Sequence, residues 1–238
     1  MKIAIIGYGK MGKVVEESAR ARGHETGLII DLPNMSDLTP ANLRNNDVAI
    51  EFSTPASAYA NISACFDAGI PVVCGTTGWL EKMEEIRERC ESEKKAMVYS
   101  SNFSLGMNIL FFLNKKLAEI MNRFDDYQVS MQEIHHIMKK DAPSGTAIKL
   151  AEDIISCLDR KKSWTMKADM AGDAIPVKAI RADNIFGIHE ISYESENDRL
   201  VLKHTAHNRK GLAAGAILAA EFIQGRTGFY SMQELLQF

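Results

Sequence analysis

The sequence predicts an α/β protein, with a Rossmann-type parallel sheet domain and a smaller α+β domain whose sheet is mostly antiparallel or mixed. Over the first hundred residues, short apolar runs alternate with helical patterns, as they do in βαβ units. A glycine-rich turn follows the first run. After residue 102 the pattern changes to one long amphipathic helix and then to alternating segments. We expect domains over 1–104, completed by 210–238, and over 105–209.

The elements of the first domain follow the apolar runs in order. Helices are expected near 11–22 and 57–68, and the interleaved charges of 81–95 indicate a solvated surface helix. The predicted strands are KIAIIG, TGLIID, VAIEFS, PVVCGTT and AMVYS.

The second domain begins with a long amphipathic helix, LGMNILFFLNKKLAEIMNRF, followed by an alternating strand, DYQVSMQEIHH. A helix is expected over 147–158. Three further strands follow, AIPVKAIRA, GIHEISYES and RLVLKHTAH, the last two joined as a hairpin. The small-residue segment GLAAGAILAAEFIQG predicts a closely packed helix that returns to the first domain.

Composition and charge narrow the possible functions. The 238 residues are 46% hydrophobic and 25% charged, with a net charge of -3, so the chain has no overall basic field for nucleic acid or an anionic membrane. Its four cysteines form no CxxC or other metal-binding spacing, which suits reduced thiols. The opening apolar run is too short for a signal or membrane helix. We expect a soluble cytoplasmic protein.

The turn GYGKMG predicts a dinucleotide site. Gly7, Gly9 and Gly12 have the G-x-G-x-x-G spacing between a strand and a helix, and Asp31 closes the second strand 19 positions after Gly12. The first glycine permits a tight turn, the second lets the backbone approach a pyrophosphate, and the third allows close helix packing. A glycine turn of an ordinary βα unit is the simpler alternative, and the strand, helix and acid together disfavour it.

The residues around the acid bear on the choice of cofactor. Asp31 can accept hydrogen bonds from a ribose diol and would repel the 2′-phosphate of NADPH, while Leu32 supplies no positive charge. Lys10 and Lys13 flank the loop and could attract a phosphate. We therefore expect NADH to be accepted and leave NADPH open.

Two more loops follow predicted strands, GTTGW at 75–79 and SSNFS at 100–104. Strand ends of such sheets face the ligand crevice, so both are candidates for cofactor contacts. Their local sequence fits ordinary βα turns equally well.

The stretch IHHIMKKDAPSGTA concentrates protonatable groups beside a helix start. His135, His136, Lys139 and Lys140 precede the predicted N-terminus at 144–146, whose free N–H groups favour a carboxylate. Histidine can deliver a proton near neutral pH while lysine holds a negative group, as reduction of a C=C or C=N bond requires. A solvated basic loop is one alternative. A metal site is disfavoured, because adjacent histidines project differently and no further ligand is evident.

The motifs together resemble the dihydrodipicolinate reductase family, also called 4-hydroxy-tetrahydrodipicolinate reductase. They occur in order from the first strand to the last helix: GYGKMG, GTTGW, SSNFSLGMN, EIHHIMKKDAPSGTA and HTAHNR. The H-H-x-x-K-x-D-A-P-S-G-T-A pattern is far more specific than the glycine loop. That loop is one residue shorter than the commoner G-x-x-G-x-M-G form.

The resemblance implies a nucleotide-binding domain and a substrate domain, a homotetramer, and reduction of a cyclic dicarboxylate with NADH or NADPH in the diaminopimelate route to lysine. It implies that His135 donates the proton with Lys139 as its substrate-engaging partner. The implied substrate contacts are His136, Lys139, Ser144, Gly145 and Thr146. The implied cofactor contacts are Gly7, Tyr8, Gly9, Lys10, Met11, Gly12, Asp31, Gly75, Thr76, Thr77, Ser100, Ser101, Asn102 and Phe103.

Two other functions are compatible with the glycine loop and sheet alone. One is another two-domain nicotinamide dehydrogenase, acting for example on a semialdehyde or homoserine, which the histidine–lysine stretch disfavours. The other is a non-enzymatic NADH sensor, for which no DNA-binding element or basic patch is evident. The sequence leaves the roles of His204, His207 and Arg209 open.

Overall fold

The computed structural model describes residues 1–167 and 172–237, and the chain divides into two compact units. The first unit comprises Met1–Leu105 and Arg209–Phe238, and the second comprises Gly106–Asn208. Among the described residues, no helix has the length and apolarity needed to cross a bilayer.

The strands of both units are numbered in chain order. They are β1 Lys2–Ile6, β2 Glu25–Ile30, β3 Val48–Glu51, β4 Val72–Cys74, β5 Ala96–Tyr99, β6 Gln128–His135, β7 Ser163–Thr165, β8 Ala174–Arg181, β9 Gly187–Glu194, β10 Arg199–Ala206 and β11 Gly228–Tyr230. The α-helices are α1 Lys10–Ala21, α2 Pro40–Leu43, α3 Pro55–Ala68, α4 Met83–Ser92, α5 Leu105–Met121, α6 Gly145–Ile155, α7 Lys210–Phe222 and α8 Met232–Leu236. Short 3₁₀ turns cover Leu32–Asp37 and Leu80–Lys82.

The first unit contains a parallel sheet of six strands in the order β11-β5-β4-β3-β1-β2. Its central strands are buried on both faces, because one apolar cluster packs α1 and α7 on one side and another packs α3 and α4 on the other. This confirms the predicted Rossmann-type sheet. The carboxyl ends of β1, β3, β4 and β5 consequently meet along one edge, where ligands of such sheets bind.

The second unit contains a five-stranded mixed sheet in the order β10-β9-β6-β8-β7. The β10, β9 and β6 neighbours are antiparallel, whereas β6 with β8 and β8 with β7 are parallel. The parallel half arises because the chain leaves β6 through α6 and returns in the same direction. Helices α5 and α6 pack on one face of this sheet. The mixed sheet agrees with the prediction, although only half of its neighbour pairs are antiparallel.

Side-chain caps explain two helices that begin earlier than their apolar pattern suggests. The hydroxyl of Ser144 accepts a hydrogen bond from the N–H of Ala147, so α6 begins at Gly145. Thr54 at the N-cap and Ser57 in the first turn form a capping box, and Pro55 starts α3. Strands β7 and β11, of three residues each, are too short to give a periodic pattern and were not predicted.

Candidate active site

The glycine loop of the first unit is compact because side chains are sterically excluded from it. Gly7 has a φ of 90°, and a Cβ there would lie 2.1 Å from the carbonyl oxygen of Phe52. A Cβ on Gly12 would lie 2.2 Å from the carbonyl oxygen of Gly7. The first and third glycines therefore serve the turn and the packing of α1 against β1.

The middle glycine stands in a different environment. A Cβ added to Gly9 would meet no atom within 4 Å. Gly9 is the N-cap of α1 and makes no side-chain cap, so the first N–H groups of this 12-residue helix have no side-chain acceptor from the cap. Lys10 begins the helix, while Tyr8 and Met11 pack partly against the core, with the Tyr8 hydroxyl donating to Glu16. The open space and the free helix end fit a pyrophosphate.

Asp31 directly follows β2 and is fixed by its neighbours. Its carboxylate accepts from the N–H of Leu32 at 3.0 Å, and its own N–H donates to Oδ1 of Asn34 at 2.8 Å. The capping box is completed by the backbone N–H of Asn34, which donates to the Asp31 carboxylate. The side chain of Leu32 is 83% exposed beside it.

The turn after β4 packs closely against the end of β3. A Cβ on Gly75 would lie 2.1 Å from the ring of Phe52, and the Thr76 hydroxyl accepts from the N–H of Ser53 at 2.8 Å. Thr76 is buried, and its carbonyl accepts from the Trp79 indole. Thr77 is exposed at the tip of the turn.

The segment after β5 is ordered by its own side chains. The hydroxyl of Ser100 donates to the carbonyl of Asn102 at 2.7 Å and accepts from the N–H of that residue at 3.1 Å. Ser101 is exposed, whereas Phe103 is buried against Phe52 in an edge-to-face contact. A Cβ on Gly215 of α7 would clash with the Phe103 carbonyl, so this glycine serves close helix packing.

A buried carboxylate that the sequence reasoning missed joins two of these turns. Glu51, at the end of β3, is fully buried and accepts hydrogen bonds from Ser53, from Asn61 and from the Cys74 thiol. Burial, followed by the charge of Glu51, raises the pKa of Cys74 well above its usual range. Cys74 therefore acts as a neutral donor rather than as a nucleophile.

In the second unit, His135 lies at the end of β6 with its ring held by a carboxylate of the same strand. Its Nδ1 is 2.6 Å from Oε2 of Glu133, whose side chain is 1% exposed. At this distance the carboxylate favours an N–H on the facing ring nitrogen, because it can only accept a hydrogen bond. The other carboxylate oxygen accepts from Arg181 at 3.0 Å and from the N–H of Ser144 at 3.2 Å. Burial would raise the pKa of this carboxyl, but its three partners outweigh burial and lower the pKa to about 2.

Arg181 also fixes the loop that carries Lys139. Its guanidinium donates to the carbonyl of Lys139 at 3.2 Å and to the carbonyl of Asp141. The ammonium of Lys139 lies 2.9 Å from the Asp141 carboxylate, and this contact lowers the pKa of Asp141. The Arg181 guanidinium thus contacts both the Glu133 carboxylate and the backbone carbonyls of Lys139 and Asp141.

The start of α6 offers donors to an anion. Ser144 is buried and caps Ala147, whereas Gly145 is exposed, with open space around its Cα, and Thr146 is half-buried. His136, one residue beyond β6, is half-buried with an unpartnered Nδ1. No hydrogen bond or ion pair joins the His136 ring to the helix start among the described residues, so its predicted carboxylate role stays a prediction.

His189 of β9 belongs to the same cluster. Its ring lies edge-to-face with His135, with centroids 5.1 Å apart, and its Nε2 is 3.3 Å from the Ser144 hydroxyl. Burial, followed by the nearby His135, lowers the pKa of His189 to about 4. This ring is therefore neutral at physiological pH.

The cluster has the spacing of a metal site, although its charges favour another interpretation. Ligand atoms of Glu133, His135 and His189 lie within 4.8 Å of one another. In the sequence only the adjacent histidines stand together; Glu133 lies two positions before His135 on β6, and His189 arrives through the pairing of β6 with β9. Arg181 already places positive charge at Glu133, and His135 contacts the other carboxylate oxygen. We interpret the cluster as a proton-handling site.

The two later histidines differ in environment. His204 of β10 pairs directly with His189 in the sheet register, and burial lowers its pKa. His207 is exposed beyond the strand, and Arg209 is the N-cap of α7. Among the described residues, no hydrogen bond, ion pair or ring contact joins His204 or His207 to His135.

Because His189 is buried in its neutral form, we expect the folded protein to lose stability in acid. An unfolded histidine titrates near pH 6.5, so the unfolded chain binds more protons than the folded one between pH 6.5 and 4. Stability should fall as the pH decreases through this window, by at most about 3 kcal/mol from this residue. Urea unfolding of wild type and His189→Asn at several pH values tests this. The free energy of unfolding should depend less on pH in His189→Asn than in wild type. The exposed control His207→Asn should keep the wild-type pH dependence.

The residues that sequence reasoning missed are mainly non-local. Glu133 could have been found, because it lies two positions before His135 on a strand and therefore shares its face. Arg181 and His189 reach the site through register, with Arg181 opposite His135 on β8 and His189 opposite Glu133 on β9. No local pattern indicates that pairing.

Comparison with known proteins identifies the family. The protein-family model of the dihydrodipicolinate reductase N-terminus matches residues 1–103, and the family model of the C-terminus matches residues 106–236. The chain is 44% identical to a 4-hydroxy-tetrahydrodipicolinate reductase of Christiangramia forsetii, covering 99% of this chain and 98% of that protein. It is 30% identical to the Neisseria gonorrhoeae protein of the same name, covering 99% and 97%.

A solved structure agrees with the fold. A dipicolinate-bound dihydrodipicolinate reductase from Paenisporosarcina sp. superposes with a TM-score of 0.79 at 22% identity, covering 98% of each chain. The resemblance inferred from the motifs is confirmed. The chain belongs to the dihydrodipicolinate reductase family of NAD(P)H-dependent oxidoreductases.

Proposed function

We propose that the protein reduces 4-hydroxy-tetrahydrodipicolinate to tetrahydrodipicolinate with NADH or NADPH, in the diaminopimelate route to lysine. The observation that carries the proposal is the histidine–carboxylate pair beside the N-terminus of α6 in the second unit. A proton donor and an anion site lie together there, as reduction of a carboxylated ring requires. Family membership supplies the substrate class.

The first unit supports dinucleotide binding through its own geometry. The open space at Gly9 and the uncapped start of α1 fit the pyrophosphate, and the Asp31 carboxylate after β2 fits a ribose hydroxyl. The turns at 75–77 and 100–103 flank the same sheet edge. When bound, the reduced nicotinamide supplies the hydride.

In the second unit, the proposed roles follow from charge and hydrogen bonding. His135 donates the proton that balances the hydride, while Lys139 stabilises negative charge on the substrate. The N–H groups of Gly145 and Thr146, with His136 and Ser144, hold a carboxylate. With the 4-hydroxy substrate, one water leaves as hydride and proton are added.

The proposal is tested by oxidation of NADH and NADPH, followed by absorbance, with substrate generated in place by dihydrodipicolinate synthase. We expect oxidation that depends on the synthase and its substrates. Tight NADH binding without oxidation would instead support another dehydrogenase or the sensor.

Asp31 should determine cofactor preference. Asp31→Asn keeps an acceptor for the Leu32 N–H but removes the negative charge, so repulsion of a 2′-phosphate is relieved. We expect the NADPH/NADH ratio of kcat/KM to rise about tenfold. Asp37→Asn, at the end of the same 3₁₀ turn, is the control. An unchanged ratio in Asp31→Asn would remove Asp31 from the ribose site.

The assembly and location are also proposed. The edge strand β10 exposes Leu200 at 44% on one face and Val201 at 40% on the other, and we infer that symmetric copies cover this edge in a homotetramer. The four free cysteines, three of them buried, support a reducing cytoplasm. Sedimentation equilibrium should give four times the chain mass.

A further inference from the structure

We propose that Glu133 is the positioning residue that fixes the tautomer and orientation of His135, and that Arg181 keeps Glu133 in place. This inference rests on the proposed proton donation by His135. It assigns the two residues a role in the reaction that neither the motif nor the family comparison gives them.

The contacts of Glu133 divide between its two oxygens. Oε2 faces only Nδ1 of His135, at 2.6 Å, whereas Oε1 accepts from Arg181 and from the Ser144 N–H. An ionised carboxylate can only accept hydrogen bonds, so its closeness favours the tautomer that carries the proton on Nδ1. Nε2 is thereby the ring atom that takes up a proton from solvent, and the imidazolium so formed donates that proton to the substrate while Nδ1 keeps its own.

The surroundings of Nε2 agree with this division. A Cβ added to Gly187 would lie 3.1 Å from Nε2 and 3.3 Å from the adjacent ring carbon. Glycine at this strand start therefore keeps the space beside Nε2 open. The neighbouring His189 ring, held at the Ser144 hydroxyl, limits rotation of the His135 ring from the side.

Arg181 couples this pair to the lysine loop. It lies opposite His135 in the β6–β8 register, donates to Glu133, and donates to carbonyls at Lys139 and Asp141. The charged groups around His135 are thus Glu133 on its own strand, Arg181 on β8, and the Lys139–Asp141 pair on the following loop. The orientation of the His135 ring and the position of the loop that carries Lys139 therefore both depend on the Arg181 guanidinium.

A measurement on the wild-type protein tests the tautomer directly. Long-range ¹H–¹⁵N correlation of the histidine side chains, at a pH where imidazole is neutral, should show the His135 proton on Nδ1; His135→Ala assigns the signal. A proton on Nε2 would overturn the inference. This readout needs neither substrate nor turnover.

A double-mutant cycle tests the effect on the reaction. Glu133→Gln keeps the shape but removes the charge, and should lower kcat about 10- to 100-fold in a wild-type background while NADH affinity stays unchanged. The same change should have no effect on the residual rate of His135→Ala, because Glu133 acts through that ring. Glu152→Gln, on the exposed face of α6, is the matched control.

The outcomes separate this inference from the proposed function. Equal losses from Glu133→Gln in both backgrounds would overturn the inference alone. A His135→Ala variant with the wild-type rate would overturn the proton-donor role and the inference with it. If Glu133→Gln does not fold, Gly187→Ala serves instead: it should lower kcat by crowding Nε2, and a wild-type rate there would contradict the assigned open side of the ring.

Discussion

Replacing His135 by alanine should lower kcat by about 10²- to 10⁴-fold, the usual contribution of a positioned general acid. The residual rate should come from hydride transfer with water as the proton source. NADH affinity should stay within about twofold, because the glycine loop and Asp31 belong to the first unit and His135 to the second. Steady-state oxidation of NADH, with fluorescence titration of NADH binding, measures both quantities.

The control for this result is a histidine that lies just past the sheet and makes no contact with Glu133 in the described hydrogen bonds and ion pairs. His207→Ala removes an exposed ring beyond β10 and should leave kcat unchanged. Lys139→Ala should resemble His135→Ala, since charge stabilisation and protonation act on the same intermediate. A His135→Ala protein that fails to bind NADH but turns over the bound fraction normally would assign the histidine to the cofactor instead.

The sequence predicted the elements whose signals are local. The glycine loop, the acid after β2 and the cap at Ser144 each depend on residues within one turn or one strand end. These are also the features that local physical rules describe best. The parallel sheet could be predicted because a chain that alternates strands and helices has few other arrangements available.

The groups that complete the candidate site are those brought together by pairing. Glu133 was hidden in a strand pattern where a charged residue on the buried face appeared only as a break in apolar periodicity. Arg181 and His189 come from strands that begin more than 30 residues beyond β6. The register of strand pairing decides which of their residues face His135, and no single segment of the sequence specifies that register. An inward-facing carboxylate on a strand is itself a sign of a buried partner.

The glycine loop offers a matched pair of substitutions that separates folding from cofactor binding. Gly12→Ala places a methyl group 2.2 Å from the Gly7 carbonyl oxygen, so α1 and the loop must move apart. Overpacking of this kind costs about 1–3 kcal/mol or more, and denaturant unfolding should show the loss. NADH binding should weaken with it, since the loop and the helix start are displaced together.

Gly9→Ala should behave in the opposite way. Its methyl group meets no atom of the protein within 4 Å, and its φ of -77° suits an L-residue, so stability should change by less than about 0.5 kcal/mol. NADH affinity should nevertheless fall about tenfold or more, because the methyl group occupies the approach to the pyrophosphate. An intact fold with unchanged NADH affinity in Gly9→Ala would show that the dinucleotide does not pass this glycine. A loss of stability in Gly9→Ala would mean that packing within the protein, rather than a bound ligand, requires glycine at this position. Because the two glycines are three residues apart, opposite outcomes for them cannot come from a general disturbance of the loop.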